Sequence, residues 1–389
     1  MIIEHISLDH FRNYNSLSVY PHESVNLLFG PNGSGKTNLL ESIHYCSLGR
    51  SHRITGDSNV IQTGSDFARC RISVKSGLNR KEIIILLNRQ EGSKKVIQID
   101  GKRIPRFSEL MGCLQCVIFS PEDLGLILQG PSFRRRYLDM MISQLNRNYF
   151  IALQQYRTAM EQRNSILRNL RHDPFGDSRM LDVFENSMAS SGAVIVDERI
   201  KMISLISQLS ENTYSGISGR DDEILHVSYH SSLKDSSSIQ DEMIKQLRES
   251  RPDDIKNGFS SCGPHRDDLY LSLNKKPMKQ YASQGQIRTA ALSLKLAQMK
   301  ALTSIGGDRP VLLLDDVMSE LDRGRRTRLI SEIGDYQTFI TCTDESDFEY
   351  NGDKRTFNVA VSLNGDAALL CDDPSAAVFH DNVSEPDFS

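Results

Sequence analysis

The most constraining feature of the chain is an eight-residue stretch: Gly30, Pro31, Asn32, Gly33, Ser34, Gly35, Lys36 and Thr37. The apolar run Val25-Asn-Leu-Leu-Phe29 precedes it, and residues 37–47 follow with Leu39, Leu40, Ile43 and Cys46 at helical spacing. A strand that turns through glycines into a helix leaves successive backbone N–H groups pointing inward. Together with the helix N-terminus they hold phosphate oxygens. Lys36 is expected to neutralise the β- and γ-phosphates of ATP, and the Thr37 hydroxyl to ligate Mg²⁺.

A second motif suits the first. Val311-Leu-Leu-Leu reads as a buried strand with Asp315 and Asp316 at its C-terminal end, where ligands sit in doubly wound sheets. Asp315 is expected to hold Mg²⁺, and Asp316 to orient or deprotonate the attacking water. Lys36, Asp315 and Asp316 are therefore the expected catalytic set.

Between them, Ser283-Gln-Gly285-Gln286 opens a helix expected over residues 287–303. The order resembles the signature motif of ABC-type ATPases, in which Ser283, Gly285 and Gln286 would meet the γ-phosphate of ATP held by a second subunit. Read alone, Ser283 is an N-cap. Ser319-Glu-Leu-Asp322 resembles the D-loop of that class. Thr341 or Thr343 stands where the class places a switch His, and Gln115 and Gln129 lie near the expected Q-loop without either being singled out.

The expected fold is α/β: an ABC-type P-loop ATPase head with an inserted β-rich subregion and a short α-helical arm. The blocks are 1–130 (first part of the head), 131–255 (arm), 256–365 (second part of the head) and 366–389 (acidic disordered tail). Residues 68–74, 82–88 and 96–100 read as a β-meander with Ser-Gly and Asp-Gly turns. Two helices, to about 171 and from 180 to about 209, flank a polar break containing Pro174 and Gly176. Residues 210–256 are polar and Ser-rich, with a strand expected at 223–229. Thr37 and Val311 are separated by 273 residues, more than a transporter ATPase inserts between its halves.

The net charge of −4 conceals a basic segment: residues 131–172 hold eight Arg against Asp139 and Glu161. Arg134, Arg135, Arg136, Arg147, Arg157 and Arg163 are candidates for DNA phosphate contacts, against a solvated helical face with ion pairs as the alternative. Arg134, Arg135 and Arg136 have an interface role as a further alternative. The seven cysteines lack a metal or disulfide pattern, and Cys113 and Cys116 read as buried thiols in a strand. They fit a reducing cytoplasm, and no membrane association is expected.

Several stretches together resemble the RecF family of bacterial recombination mediators over residues 1–345. They are His10-Phe-Arg-Asn-Tyr14, Lys36-Thr-Asn-Leu-Leu-Glu41, Gly49-Arg-Ser-His-Arg53, Phe119-Ser-Pro-Glu-Asp-Leu124, residues 130–139, Gln162-Arg-Asn164, Gly263-Pro-His-Arg-Asp-Asp268 and residues 315–322. The resemblance implies an ATP-dependent homodimer that binds single- and double-stranded DNA, favouring gaps or junctions. It implies work with RecR and RecO to load RecA, a place in DNA repair, replication and the SOS response, and slow ATP hydrolysis as a timer. Asp316, where much of the wider class has Glu, suits slow hydrolysis. His265 is a weaker candidate base in a segment that builds the interface or shapes a turn. The alternatives are a transporter ATPase subunit and a small-molecule P-loop kinase. A Rad50-like partner is disfavoured by the short arm.

Overall fold

Two-residue periodicity and glycine-bearing turns shape the first third of the chain, from β1 (Ile2–Phe11) and β2 (Tyr14–Val19) onward. In the computed structural model, residues 1–378 are described apart from 52, 54–55, 90–93, 174, 234–237, 349, 362–364 and 372–376. Next come β3 (Val25–Phe29), α1 (Lys36–Leu48), β4 (Phe67–Ser76), β5 (Asn79–Asn88), β6 (Lys94–Ile99), β7 (Lys102–Arg103) and β8 (Cys116–Phe119). The middle of the chain supplies α2 (Gly125–Leu128), α3 (Pro131–Leu145), α4 (Arg147–His172), α5 (Arg179–Ser218), β9 (Leu225–His230), α6 (Ile239–Glu249), α7 (Arg251–Asn257), β10 (Asp268–Leu273), β11 (Lys276–Pro277) and α8 (Met278–Tyr281). It ends with α9 (Gln284–Gly306), β12 (Val311–Leu314), α10 (Arg323–Ile333), β13 (Thr338–Cys342), β14 (Lys354–Val361), β15 (Ala367–Cys371) and β16 (Ala377–Val378). The chain divides into two compact units, Met1–Asp123 with Gln298–Ser389, and Leu124–Ala297, so residues 256–297 fall in the second.

The first unit holds two sheets. One is antiparallel, ordered β16-β2-β1-β4-β5-β6-β7. Its expected meander forms, with Gly77 at φ +58° in the Ser-Gly turn and Asp100 and Gly101 at φ +52° and +73° in the Asp-Gly turn. The other is ordered β15-β14-β3-β13-β12-β8 and is parallel from β14 to β8. Helix α1 packs on β4 and β5 of one sheet and on β8 and β13 of the other. Being covered on both sides, it buries eleven of its thirteen residues, so it needs no amphipathic stripe. Glu41, fully buried there, is held by Arg12 at 2.7 and 2.9 Å and by the Ser51 hydroxyl at 2.5 Å.

Two expectations need correction. Residues 367–371, placed in a disordered tail, form β15, whose alternate residues Ala367 and Leu369 are buried against β14. Five residues pairing with an existing edge need no hydrophobic periodicity of their own. The remainder of that tail lies largely outside the described residues, as does Pro174. Cys113 and Cys116 are buried free thiols, but only Cys116 is in a strand.

In the second unit, α4 and α5 pack as the expected helical hairpin, although α5 runs to Ser218 rather than 209. Leu167, Leu170 and Leu181 form part of their shared core. Helix α6, in the segment read as polar, is capped by the Ser238 side chain and buries only Met243 and Leu247. Gly192 admits α6 closely: a Cβ there would lie 2.5 Å from Met243 Sδ. A three-stranded sheet, β11-β10-β9, completes the unit.

Arginines fasten the loop before β10. Arg163 is fully buried and bonds Glu185 (3.1 Å), Asp254 (2.7 Å), the Ser260 hydroxyl (2.8 Å) and the Leu247 carbonyl (3.0 Å). Arg199 bonds Tyr149, Asp139 and the Pro264 carbonyl. His265 Nδ1 lies 2.6 Å from the Tyr156 hydroxyl, and its Nε2 lies 3.0 Å from the Ser260 carbonyl. The carbonyl requires a proton on Nε2, so Nδ1 accepts from Tyr156. Burial lowers the His265 pKa to about 4. A neutral, doubly bonded imidazole shapes the turn and is not a free base.

Removal of Arg163 leaves the buried Asp254 carboxylate without its cationic partner, while Glu185 keeps Arg251. Arg163→Ala is expected to cost about 3–5 kcal/mol, whereas Arg157→Ala, at an exposed Arg157–Glu161 pair, costs less than about 1 kcal/mol; denaturant unfolding of both variants checks the contrast. His265 binds its proton more weakly folded than unfolded. Its contribution is therefore complete above pH 6.5 and is lost as pH falls toward about 4. Unfolding from pH 7.5 to 4 should show a loss of about 3 kcal/mol in the wild type that His265→Gln lacks. Asp267, raised by burial, titrates in both proteins and cancels in the comparison.

Candidate nucleotide site and signature loop

The parallel register of three strands builds the site in the first unit. Strand β3 leads into residues 30–37, β12 ends at Leu314 just before Asp315, and β13 lies between them with Thr341 beside Leu28. The loop depends on its glycines. Gly30, Gly33 and Gly35 have φ +147°, +81° and +113°, and a Cβ on Gly30 would stand 2.3 Å from the Val359 carbonyl oxygen. No side chain caps α1, which leaves its first-turn N–H groups to the loop's concave side. Pro31, Asn32 and Gly33 are exposed, whereas the Ser34 hydroxyl is buried without a hydrogen-bond partner among the described residues. An orphaned buried hydroxyl in a cradle of N–H groups suits a phosphate oxygen.

Lys36 Nζ donates to the carbonyls of Gly30 (2.6 Å) and Pro31 (2.8 Å), which holds the ammonium over the loop. Burial lowers its pKa, opposed by the charge of Asp316. Thr37 Oγ1 donates to Asp315 Oδ1 at 2.8 Å, and Thr341 Oγ1 donates to the same oxygen at 3.0 Å. Thr341 Oγ1 also accepts the Asp316 N–H at 2.9 Å. Burial raises the Asp315 pKa, and the two threonine hydroxyls oppose that rise. Asp316 is exposed and has a left-handed φ of +55°, its backbone fixed by Thr341 and its carbonyl accepting from the Ser319 hydroxyl at 2.8 Å. Of the two switch candidates, Thr341 thus touches both acids, while Thr343 is exposed.

The hydroxyl and carboxylate oxygens of Thr37 and Asp315 form a hard donor set that fits Mg²⁺. Among the described residues, no cluster of three or more His, Cys, Asp or Glu side chains could hold a metal. Mg²⁺ commonly uses only one or two carboxylates plus substrate phosphates. Motif reading missed the brace behind the loop. Asn13 donates to the Ser34 carbonyl at 3.2 Å and accepts from Asn38 at 2.8 Å, and Tyr14 donates to the Gly35 carbonyl at 3.1 Å. Both belong to the stretch 10–14, but their pairing with the loop is long-range. In the stretch 49–53, His52 lies outside the described residues.

In the second unit, residues 283–286 form a reciprocal cap on α9. Gln286 N–H donates to Ser283 Oγ at 3.3 Å, and Ser283 N–H donates to Gln286 Oε1 at 2.8 Å. The Gly285 carbonyl accepts from the Thr289 hydroxyl at 2.8 Å. Ser283 is exposed, and its hydroxyl proton remains available to a ligand while its oxygen caps the helix.

The expected DNA face breaks up. Arg163 is fully buried in the ion-pair network described above. Arg134, 8% exposed, forks onto both oxygens of Asp268 at 2.7 and 2.8 Å and donates to the carbonyls of Leu126 and Gln129. Both are corrected to structural residues, since their acidic partners lie far away in sequence. Arg135 donates to the Asp267 carbonyl at 2.7 Å and, like Arg136, is partly buried. Arg147 and Arg157 are exposed. Among the described residues, no helix is long and apolar enough to cross a membrane.

Replacing Thr341 with Val removes the hydroxyl shared by Asp315 and the Asp316 N–H. Thermal unfolding should show a loss of about 1–3 kcal/mol for Thr341→Val, largely restored in Thr341→Ser.

The family described as RecF/RecN/SMC N terminal domain matches residues 2–364. A DNA replication and repair protein RecF from Clostridium perfringens is 39% identical over 347 residues, covering 89% of this chain and 94% of the relative. The Clostridium acetobutylicum protein of the same name is 37% identical over 94% of this chain and 99% of its own. Among solved structures, that of the recombination mediator protein RecF with ATP in the RecFOR pathway aligns with a TM-score of 0.86 at 34% identity, covering 95% of this chain and 97% of that one. An Smc head bound to the C-winged helix domain of ScpA aligns with a TM-score of 0.55 at 15% identity over 95% of this chain and 97% of that one, a likeness of fold alone. A nucleotide-type loop, a paired strand-end acid and near-complete alignment with these repair proteins agree: the chain belongs to the RecF family.

Proposed function

We propose that the chain is an ATP-switched DNA-binding protein of replication and recombinational repair. In this reading, nucleotide bound at residues 30–37 joins two copies on DNA. The observation that carries the nucleotide half is the bond from Thr37 Oγ1 to Asp315 Oδ1. It brings the two expected Mg²⁺ ligands together although they lie on opposite sides of an intervening strand. Residues 30–37 and Lys36 bind the triphosphate, Thr37 and Asp315 hold Mg²⁺, and Asp316 orients the attacking water. Mg²⁺ there would neutralise charge developing on the transferred phosphoryl group.

Residues 283–286 of a second copy complete the nucleotide's surroundings. The free Ser283 hydroxyl proton and the first-turn N–H groups of α9 suit a γ-phosphate. Arg147 and Arg157 are exposed and, with the partly buried Arg135 and Arg136, are the candidates left for contact with DNA phosphates. Gapped or junction DNA is the favoured substrate, with RecR and RecO as partners in loading RecA. Hydrolysis is slow and serves release. The relatives over most of the chain bear the name of a repair protein, which sets the transport reading aside.

Asp316→Asn separates binding from hydrolysis. The ATPase rate should fall about 100-fold or more, while ATP-dependent dimerisation and duplex binding persist, as measured by sedimentation and DNA titration. If ATP produces neither a dimer nor tighter DNA binding, the clamp reading is wrong.

A further inference from the structure

Gln286, read from its motif as a nucleotide contact, has both ends of its side chain engaged inside its own unit. Its Oε1 accepts the Ser283 N–H at 2.8 Å, and its Nε2 donates to Glu223 Oε1 at 2.9 Å. Glu223 is 8% exposed and lies between α5 and β9. Its Oε2 accepts from the Tyr214 hydroxyl at 2.7 Å, and its Oε1 also accepts from Arg220 at 2.8 Å. Tyr214 is fully buried near the end of α5.

A buried carboxylate is stable only when donors replace its water. Burial pushes the Glu223 pKa up, but the bonds from Gln286, Tyr214 and Arg220 outweigh it and hold the group below its usual range. An ionised acceptor also strengthens each bond. The Gln286 amide is therefore anchored to a fixed charge. Its Oε1 in turn fixes the Ser283 backbone, and the Ser283 hydroxyl oxygen is set by the Gln286 N–H at 3.3 Å. The Ser283 oxygen is thereby fixed by this reciprocal pair of bonds while its hydroxyl proton is uncommitted to it.

We propose that Glu223 is the positioning residue of the signature loop: it clamps Gln286 to the end of α5 and so presents Ser283 to the nucleotide of a second copy. This rests on the two-copy reading above. Glu223 touches no nucleotide, and Gln286 acts through the loop's shape. Arg220, two-thirds exposed, contributes little to the clamp.

The test compares full-length wild type, Glu223→Ala and Glu223→Gln. Glu223→Ala should speed amide exchange in residues 283–287 of the nucleotide-free protein about tenfold and weaken ATP-driven dimerisation about tenfold, with monomer affinity for a fluorescent ATP analogue within about twofold. Glu223→Gln keeps one acceptor for Gln286 and should recover part of both losses. If Glu223→Ala fails to fold, Gln286→Glu sets two carboxylates against each other and should give the same pair of effects. Unchanged exchange and dimerisation in these variants would overturn the proposal. Loss of ATP binding by the monomer would also overturn it, because the residue would then act at the P-loop. A wild type that stays monomeric with ATP overturns the two-copy reading, a result distinct from any change in exchange.

Discussion

The site turns on one oxygen, Asp315 Oδ1, which accepts from Thr37 at 2.8 Å and from Thr341 at 3.0 Å. The three residues come from the ends of three elements, and only a parallel sheet with β13 between β3 and β12 brings them together. A carboxylate 8% exposed would be unfavourable without these donors. The same hydroxyl of Thr341 takes the Asp316 N–H and stabilises a left-handed aspartate. One acid is thereby held inward, and the next is turned toward solvent.

Buried charge has the corresponding part in the second unit. Arg163 and Arg199 pin the loop before β10 to α4 and α5, and Arg134 pins the start of β10 to α3. Each guanidinium meets an acid or carbonyl from a distant segment. Such pairs add little net stability over well-packed apolar groups, but breaking one is severe. They specify where a loop rich in small and polar residues must lie. This explains why a count of arginines overstates the surface available to DNA: two of the six candidates are committed to the interior.

Local patterns were legible in the sequence wherever chemistry and geometry shared a short segment. The glycine loop, the Val311–Leu314 strand, the meander and the helical hairpin all fall in this class. The sheet partner of Ala367–Cys371 was not legible, because an edge strand can be recruited by pairing alone. Helix α6 shows only two buried residues, too few to mark a core face in a Ser-rich stretch. The acidic partners of Arg134 and Arg163, the P-loop partners of Asn13 and the Gln286 partner of Glu223 lie far away along the chain. No spacing rule reaches across such distances, since they are set by which strands and helices become neighbours.

The Ser283 motif admits two readings, a plain N-cap or a contact to another subunit's nucleotide, and the geometry removes the conflict between them. A hydroxyl has one proton to donate and two lone pairs to accept with. At Ser283 an accepted bond from Gln286 N–H fixes the oxygen and leaves the proton uncommitted. The cap is thus the means of aiming the donor. Glu223 fixes the other side of Gln286, so the loop is ordered before any ligand arrives. Binding then need not bear the full entropic cost of arranging it. The P-loop is likewise braced in advance by Asn13 and Tyr14. Each unit of the chain thus carries a loop shaped in advance by its own bonds, which is what the proposed meeting of two copies across a nucleotide requires.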